Sequence, residues 1–262
     1  MNEVMRVLLN RKSVRAYDEK QISEEAKDQI LKATLRAPTA GNMMLYSIIE
    51  ITDQRIKDTL ARTCDNQPFI ATAPLVLLFL ADYQRWHDYF LLSGVEDLAR
   101  QKGERVREPQ EGDLFIACCD ALIAAHTAVV AAESLGIGSC YIGDILENYE
   151  VHRELLSLPR FALPVCLVCF GYPTSQQQQR PLTPRFDSKF VVCENRYRRL
   201  DAAGLAEMHR DREERLAGAA TRAEGAANLG QQMYLRKFNA DFTKEMTRSA
   251  RAMLRSWTGQ ER

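Results

Sequence analysis

Apolar residues recur at helical spacing after Ser23, where Ala26, Ile30, Ala33 and Ala37 fall on one side, and this predicts a helix that stops at Pro38. The Ser23 hydroxyl can cap the first free N–H groups, and Glu24 and Glu25 favour the positive helix end. Residues 46–52 then read as a strand, 54–63 as a helix and 75–81 as a buried strand of Val, Leu and Phe. Residues 82–112 are polar and aromatic by turns with no sustained period, the pattern of an excursion that covers a pocket. A long apolar segment predicts a central helix from about Asp113 to Gly136, a glycine suited to a left-handed cap, and 163–170 reads as a further strand. From Leu200 onward the chain is rich in Ala, Arg and Glu and reads as helical, broken near Gly218 and between Gly225 and Gly230. The alternation predicts an α/β or α+β layer structure, with one domain over 1–195 and a helical extension over 196–262 that packs on the core or on a partner subunit.

Composition narrows the function. The chain has 262 residues, 46% hydrophobic and 27% charged, and its 35 basic and 35 acidic side chains cancel. Nucleic acid binders carry a basic excess on one face, whereas basic runs here, such as Arg196-Tyr197-Arg198-Arg199, are short and flanked by acids, which argues against nucleic acid as a partner. The N-terminal residues read as a short amphipathic helix and not as a signal peptide, so the cytoplasm is the expected location. The longest apolar stretch, 114–135, is interrupted by Asp120, His126 and Glu133, which suits a buried helix and not a membrane span. Seven cysteines form no secreted framework. Cys166 and Cys169 match C-x-x-C but lie three apart on a predicted strand, so their sulfurs face opposite sides.

The most informative polar stretch is Arg11-Lys12-Ser13-Val14-Arg15. Guanidinium groups bind phosphate through a planar fork of donors and a serine hydroxyl adds another, so positions 11, 13 and 15, which share a face of an extended chain, can converge on one small anion. The competing reading is an ordinary solvated loop. Other chemistry is poorly represented. His87, His126, His152 and His209 lie far apart with no metal-ligand spacing, and no metal site is expected. No G-x-S-x-G elbow or G-x-x-x-x-G-K-[ST] loop occurs, and Gly136-x-Gly138 lacks the third glycine and the preceding strand of a dinucleotide fingerprint. With no nucleophile among the side chains, a cofactor that carries the chemistry fits the pattern.

Taken in order, the 11–15 segment, Pro38-Thr39-Ala40-Gly41-Asn42, Gln67 ahead of a buried strand, Glu133-Ser134-Leu135-Gly136 followed by Tyr141-Ile142-Gly143, and the Pro184-Arg185 loop resemble the FMN-dependent nitroreductase and flavin reductase superfamily over nearly the whole chain. The resemblance implies an α+β fold, a central and mainly antiparallel sheet flanked by helices, in an intertwined homodimer with two FMN molecules at its interface. It implies that Arg11 and Ser13 hold the FMN phosphate, that Arg15 reaches the pyrimidine side of the ring, and that Gln67 hydrogen-bonds the same edge. Pro38, Thr39 and Asn42 would reach the flavin from the partner subunit, and Tyr141, Ile142 and Gly143 would lie behind the ring. Lys12, Asp144 and Arg185 complete the implied cofactor-binding set. No side chain is assigned as catalytic: the chemistry belongs to the flavin, with Arg15 and Gly143 tuning it.

The resemblance further implies a ping-pong exchange with NAD(P)H as donor and a small acceptor: a nitroaromatic compound, a quinone or free flavin. Alternatives within reach of the same site are reductive dehalogenation, enone reduction, or flavin binding with little turnover. Trp86, His87 and Tyr89 either wall the cleft or pack a loop on the core, and Arg222 is a candidate contact for the extra phosphate of NADPH. Two departures stand out. Relatives often carry a Lys-x-Arg pair where this chain has Thr183-Pro184-Arg185, so one cation is missing and Arg180 is its candidate replacement. Asp144 stands where relatives have a second glycine, and an anion there opposes accumulation of reduced flavin unless it points away.

Overall fold

The computed structural model describes residues 1–217 and 223–260. The chain opens with α1 (Glu3–Asn10), whose Asn2 cap accepts from the Met5 N–H at 2.9 Å, and α2 (Glu24–Thr34), whose Ser23 cap accepts from the Ala26 N–H at 3.2 Å. Next come β1 (Tyr46–Glu50), α3 (Gln54–Thr63), the short α4 (Phe69–Thr72), β2 (Leu75–Asp82), α5 (Gln84–Leu92), α6 (Val95–Gln101) and α7 (Glu111–Ser134). They are followed by β3 (Gly138–Ile142), α8 (Tyr149–Leu155), β4 (Ala162–Gly171), α9 (Ser175–Gln179), α10 (Ser188–Val191), α11 (Ala202–Ala217), α12 (Leu229–Met233) and α13 (Asp241–Trp257). The aperiodic stretch after Asp82 thus holds two helices, of nine and seven residues, too short for their mixed aromatic and polar positions to repeat. A short helix also forms inside the glutamine run.

The four strands form one antiparallel sheet in the order β1-β2-β4-β3. Alternate residues of the two central strands serve two cores. Leu75, Leu77, Phe79, Cys166, Val168 and Phe170 pack on α7, while Val76, Leu78, Leu80, Leu167 and Cys169 pack toward Leu60, Ala61 and Ile70 of α3 and α4. The two cysteines of the C-x-x-C match therefore face opposite layers, as their spacing predicts. Pro164 interrupts the β4 ladder where the β2 register shifts between Phe79 and Leu80, the kind of position that tolerates a missing N–H. α7 presents Ala121, Ala124, Ala125, Ala128 and Ala132 to the sheet, small side chains that let helix and sheet approach closely. Its cap, Gly136, adopts φ 73°, the left-handed conformation the sequence predicts.

Two compact units emerge: residues 1–180 with 245–262, and residues 181–244. The division differs from a single boundary at 195/196 because the last helix belongs to the first core. Trp257 is fully buried against Phe161, with ring centroids 5.4 Å apart, and its indole N–H donates to the Gln110 carbonyl at 3.0 Å. Ser249 accepts from the Tyr149 N–H at 3.0 Å, and Arg248 holds Glu150 through two 2.8 Å bonds, an ion pair that pulls the Glu150 carboxyl down to about 2. In the second unit, Phe186 lies under the Arg212 guanidinium at 3.7 Å and meets His209 edge-on.

Replacing so large a fully buried ring with alanine leaves a cavity that costs about 3–5 kcal/mol. Trp257→Ala is therefore expected to lower the thermal midpoint by about 10 °C, given about 2–4 °C per kcal/mol for a domain of this size. A drop of under about 2 °C in a calorimetric scan would show that the helix is not part of the core.

Candidate active site

Two glycines fix the path of the cationic segment. Ser13 and Val14 lie along β3, with an isolated parallel bridge between Ser13 and Ser139 and a 2.8 Å bond from the Val14 N–H to the Ser139 carbonyl. Val14 packs directly on Gly138, where a Cβ would sit 2.5 Å from its Cγ2. Three residues on, the Tyr17 ring packs on Gly171, where a Cβ would sit 2.5 Å from Cδ1. Gly138 and Gly171 face each other across the β3–β4 ladder, so a side chain at either would lift the segment off the sheet. Tyr17 closes the turn by donating its hydroxyl to the Val14 carbonyl at 3.1 Å.

This path gathers cations at the β3 edge. Arg15, Arg11 and Arg180, with a hydrogen bond from Ser13, all act on the Cys140 thiol, lowering a pKa that burial raises. A reciprocal clip holds them. The Lys12 ammonium donates to the carbonyls of Gln178 (2.6 Å) and Arg180 (2.5 Å), and the Arg180 guanidinium donates back to the Ser13 carbonyl. Arg11 Nη1 and Ser139 Oγ are buried without a hydrogen-bond partner among the described residues. Buried polar atoms are normally paired, so an unpaired guanidinium nitrogen on Arg11, two residues before Ser13, suits a small anion such as a phosphate. Beside them, burial pushes the Glu133 carboxyl up to about 7 against the opposing fields of Arg11 and Lys12.

A second element is the loop 38–45, which holds Gly41, Asn42 and Met44 at φ 55°, 56° and 51°. Two non-glycine residues at positive φ are costly and persist only where surroundings enforce them. Asp120, 2% exposed in the middle of α7, accepts from the Ala40 N–H at 3.0 Å and the Leu45 N–H at 3.1 Å. From the other side, the Trp86 indole donates to the Met43 carbonyl at 2.7 Å and Arg85 to the Met44 carbonyl at 3.0 Å. Pro38 and Asn42 are left exposed at the rim, with Thr39 half-buried.

The third element is an acidic corner after β3. Tyr141 is half-buried and Ile142 buried, while Gly143 is exposed, with nothing within 4 Å of the place a Cβ would take. Asp144 follows, and its Oδ2 accepts from the Gln67 amide at 2.7 Å. Glu147, 5% exposed, lies near it, and burial with the nearby carboxylates Asp144, Asp65 and Glu245 pushes its carboxyl up to about 7.

Known proteins resemble this chain in sequence and in fold. The sequence profile of the nitroreductase family matches residues 8–172. An NAD(P)H-dependent FMN reductase of Bacillus subtilis is 33% identical over 185 residues, 71% of this chain and 72% of its own length. An oxygen-insensitive NADPH nitroreductase of Salmonella typhimurium is 30% identical over 206 residues, 79% of each chain. Among solved structures, NfrA2 of B. megaterium superposes with a TM-score of 0.79 at 27% identity over 98% of both chains. This chain belongs to the nitroreductase family.

Within this nitroreductase, Arg11, Ser13, Arg15 and Arg180 all lie close enough to Cys140 to act on its thiol. Lys12 holds residues 178–180 through their carbonyls. Arg185 lies exposed in the second unit, and Arg222 falls outside the described residues. Trp86 packs on the core and pins the loop, so the packing reading holds for it. Sequence reasoning missed Asp120 as a loop anchor, although an acid inside an apolar helix was the available signal. It also missed Glu147, whose role depends on neighbours distant in sequence.

Glu147 sets a pH dependence. A carboxyl raised from its ordinary range to about 7 takes up a proton on folding between those values, so stability falls as pH rises through that window and is level outside it. The loss amounts to about 3 kcal/mol, from a shift of two to three units at about 1.4 kcal/mol each. Glu147→Gln is expected to remove most of that loss in denaturant titrations at pH 5 and pH 8. An unchanged difference between the two pH values would rule out Glu147 as its source.

Proposed function

We infer that this protein is an NAD(P)H-dependent FMN oxidoreductase that reduces small acceptors such as nitroaromatic compounds, quinones or free flavin. The observation that carries the reading is the unpaired, buried Arg11 Nη1 set beside Ser13, Arg15 and Arg180, in a chain whose relatives are FMN reductases and nitroreductases. The residues fit FMN: guanidinium and hydroxyl donors for its phosphate, and open space over Gly143 for a flat ring. Bound FMN supplies two-electron transfer between a nicotinamide and an acceptor. Arg11 and Ser13 hold the phosphate, while Arg15 places positive charge near the pyrimidine edge, where reduced flavin gathers its negative charge. Backbone from Tyr141 to Gly143 supports the ring.

The site is completed by a second copy of the chain. Along α7, Asp120 anchors the loop bearing Pro38, Thr39 and Asn42, whereas Glu133 stands in the field of Arg11. Thirteen residues of helix separate them by about 20 Å. In this reading the loop of one chain serves the grip of another. The opposite side of α7 exposes Phe115, Ile116, Leu122 and Ile123 in one stripe, an apolar face suited to pairing with its own copy.

Purified protein is expected to be yellow, to release FMN on denaturation, and to bleach under anaerobic NADPH or NADH. Arg11→Ala should weaken FMN binding by about 10- to 100-fold, the loss of one charge-assisted hydrogen bond to phosphate. A protein that stays colourless with excess FMN would refute the reading. Ile116→Glu with Ile123→Glu is expected to shift sedimentation from dimer toward monomer and to release flavin; a variant that remains dimeric would place the interface elsewhere.

A further inference from the structure

Gln67 stands at the mouth of the acidic corner with its amide fully committed on one side. Its Nε2 donates to the Asp144 carboxylate at 2.7 Å and to the Cys64 carbonyl at 3.0 Å, which uses both hydrogens of the amide nitrogen. Amide orientation is often ambiguous, because oxygen and nitrogen are similar in size. Here it is not, since a carboxylate and a backbone carbonyl both only accept. The main chain of Asp144 is itself held in place: its carbonyl accepts from the N–H of the almost wholly buried Glu147 at 3.0 Å. The Gln67 backbone is fixed as well, its N–H donating to the Ala61 carbonyl at 2.8 Å. Gln67 is only partly buried, and what it has left to offer a ligand is the acceptor Oε1.

We propose that Asp144 is a positioning residue that fixes the polarity of Gln67, so that this chain recognises its flavin through the ring imide N–H. The inference rests on the reading above, in which Gln67 meets the pyrimidine edge of FMN. That edge carries one donor, the N3–H, between two carbonyl acceptors. An unrestrained glutamine can serve either kind of group by turning its amide. A glutamine whose nitrogen is claimed by Asp144 and Cys64 complements only the N3–H. The carboxylate at residue 144 thereby becomes a specificity device: ring systems without a donor at that place meet an unpaired acceptor.

The test compares binding of FMN and 3-methyl-FMN, in which the N3–H is replaced by a methyl group, followed by flavin fluorescence quenching on apoprotein at fixed pH. Wild-type protein is expected to prefer FMN by at least about tenfold, the cost of leaving one partly buried acceptor unpaired. Asp144→Asn keeps the size of the side chain but can present either a donor or an acceptor to Gln67, which leaves the Cys64 carbonyl as the one group holding the amide's polarity and lets the amide turn more readily. In this variant the preference should fall to within about threefold, chiefly through weaker FMN binding. Asp144→Ala, which removes the partner outright, should behave in the same way, and whichever variant retains its folded circular dichroism decides the matter. Equal binding of the two flavins by wild-type protein, or an undiminished preference in the folded variants, would overturn the proposal while leaving FMN binding intact. Failure of wild-type protein to bind either flavin would instead refute the function on which the proposal rests.

Discussion

The contact on which the rest of the site depends is the close approach of Val14 and Tyr17 to a pair of glycines. β3 is an edge strand, and an unpaired edge exposes a row of backbone groups to pairing with other chains. Ser13 and Val14 cover part of that edge, and they can do so only because Gly138 and Gly171 present no Cβ. The same contact delivers Arg11, Ser13 and Arg15 to one place. Covering the sheet and building the cation cluster are therefore a single packing event, and a change that lifts the segment weakens both. The clip between Lys12 and residues 178–180 secures it from the other side, and this is how a cation that looks available in the sequence is spent on architecture.

α7 is the second organising element, because it is apolar on two faces for two different reasons. Its alanine face lies on the sheet, where small side chains permit a close layer. Its other face carries large apolar residues that the chain leaves exposed. Between the two sits Asp120, a buried carboxylate whose oxygens accept backbone N–H groups of a strained loop. Backbone amides offer no net charge, so this carboxylate is held by hydrogen bonding alone, and the loop and the helix specify each other's position. The loop then carries Asn42 to the rim in a left-handed conformation that a free segment would abandon.

Much of this was legible in the sequence where local physics decides. The Ser23 cap, the α3 bounds, the divergence of Cys166 and Cys169 and the glycine after α7 follow from propensity and periodicity, and all are present. What escaped depends on contacts between distant residues. The helix 84–92 mixes aromatic and polar side chains because one end of it pins a loop forty residues earlier, a demand with no helical period. Packing of the tail on the core was one of two expected outcomes, but which of its residues would be buried was not legible, because a charged, alanine-rich tail gives no sign of where Trp257 will sit. At the site, Arg180 reaches the Ser13 carbonyl because Lys12 holds the carbonyls of residues 178 and 180, a contact between distant residues that no local motif announces.

Asp144 shows how a departure from a family pattern acquires meaning through its neighbours. An anion behind a flavin ring ought to disfavour the reduced, negatively charged cofactor, and a bare carboxylate at this position would do so. In this protein the carboxylate is engaged by the Gln67 amide, and burial with the surrounding carboxylates pushes the nearby Glu147 carboxyl up to about 7. A proton on Glu147 leaves the corner with less negative charge than its acids imply, and the hydrogen bond from Gln67 draws the Asp144 charge toward the amide. The arrangement thus contains the electrostatic cost of Asp144 while using its acceptor strength to orient the amide. A glycine has neither effect, which is why the difference at this one position is a change in how the pocket is wired and not a loss of its function.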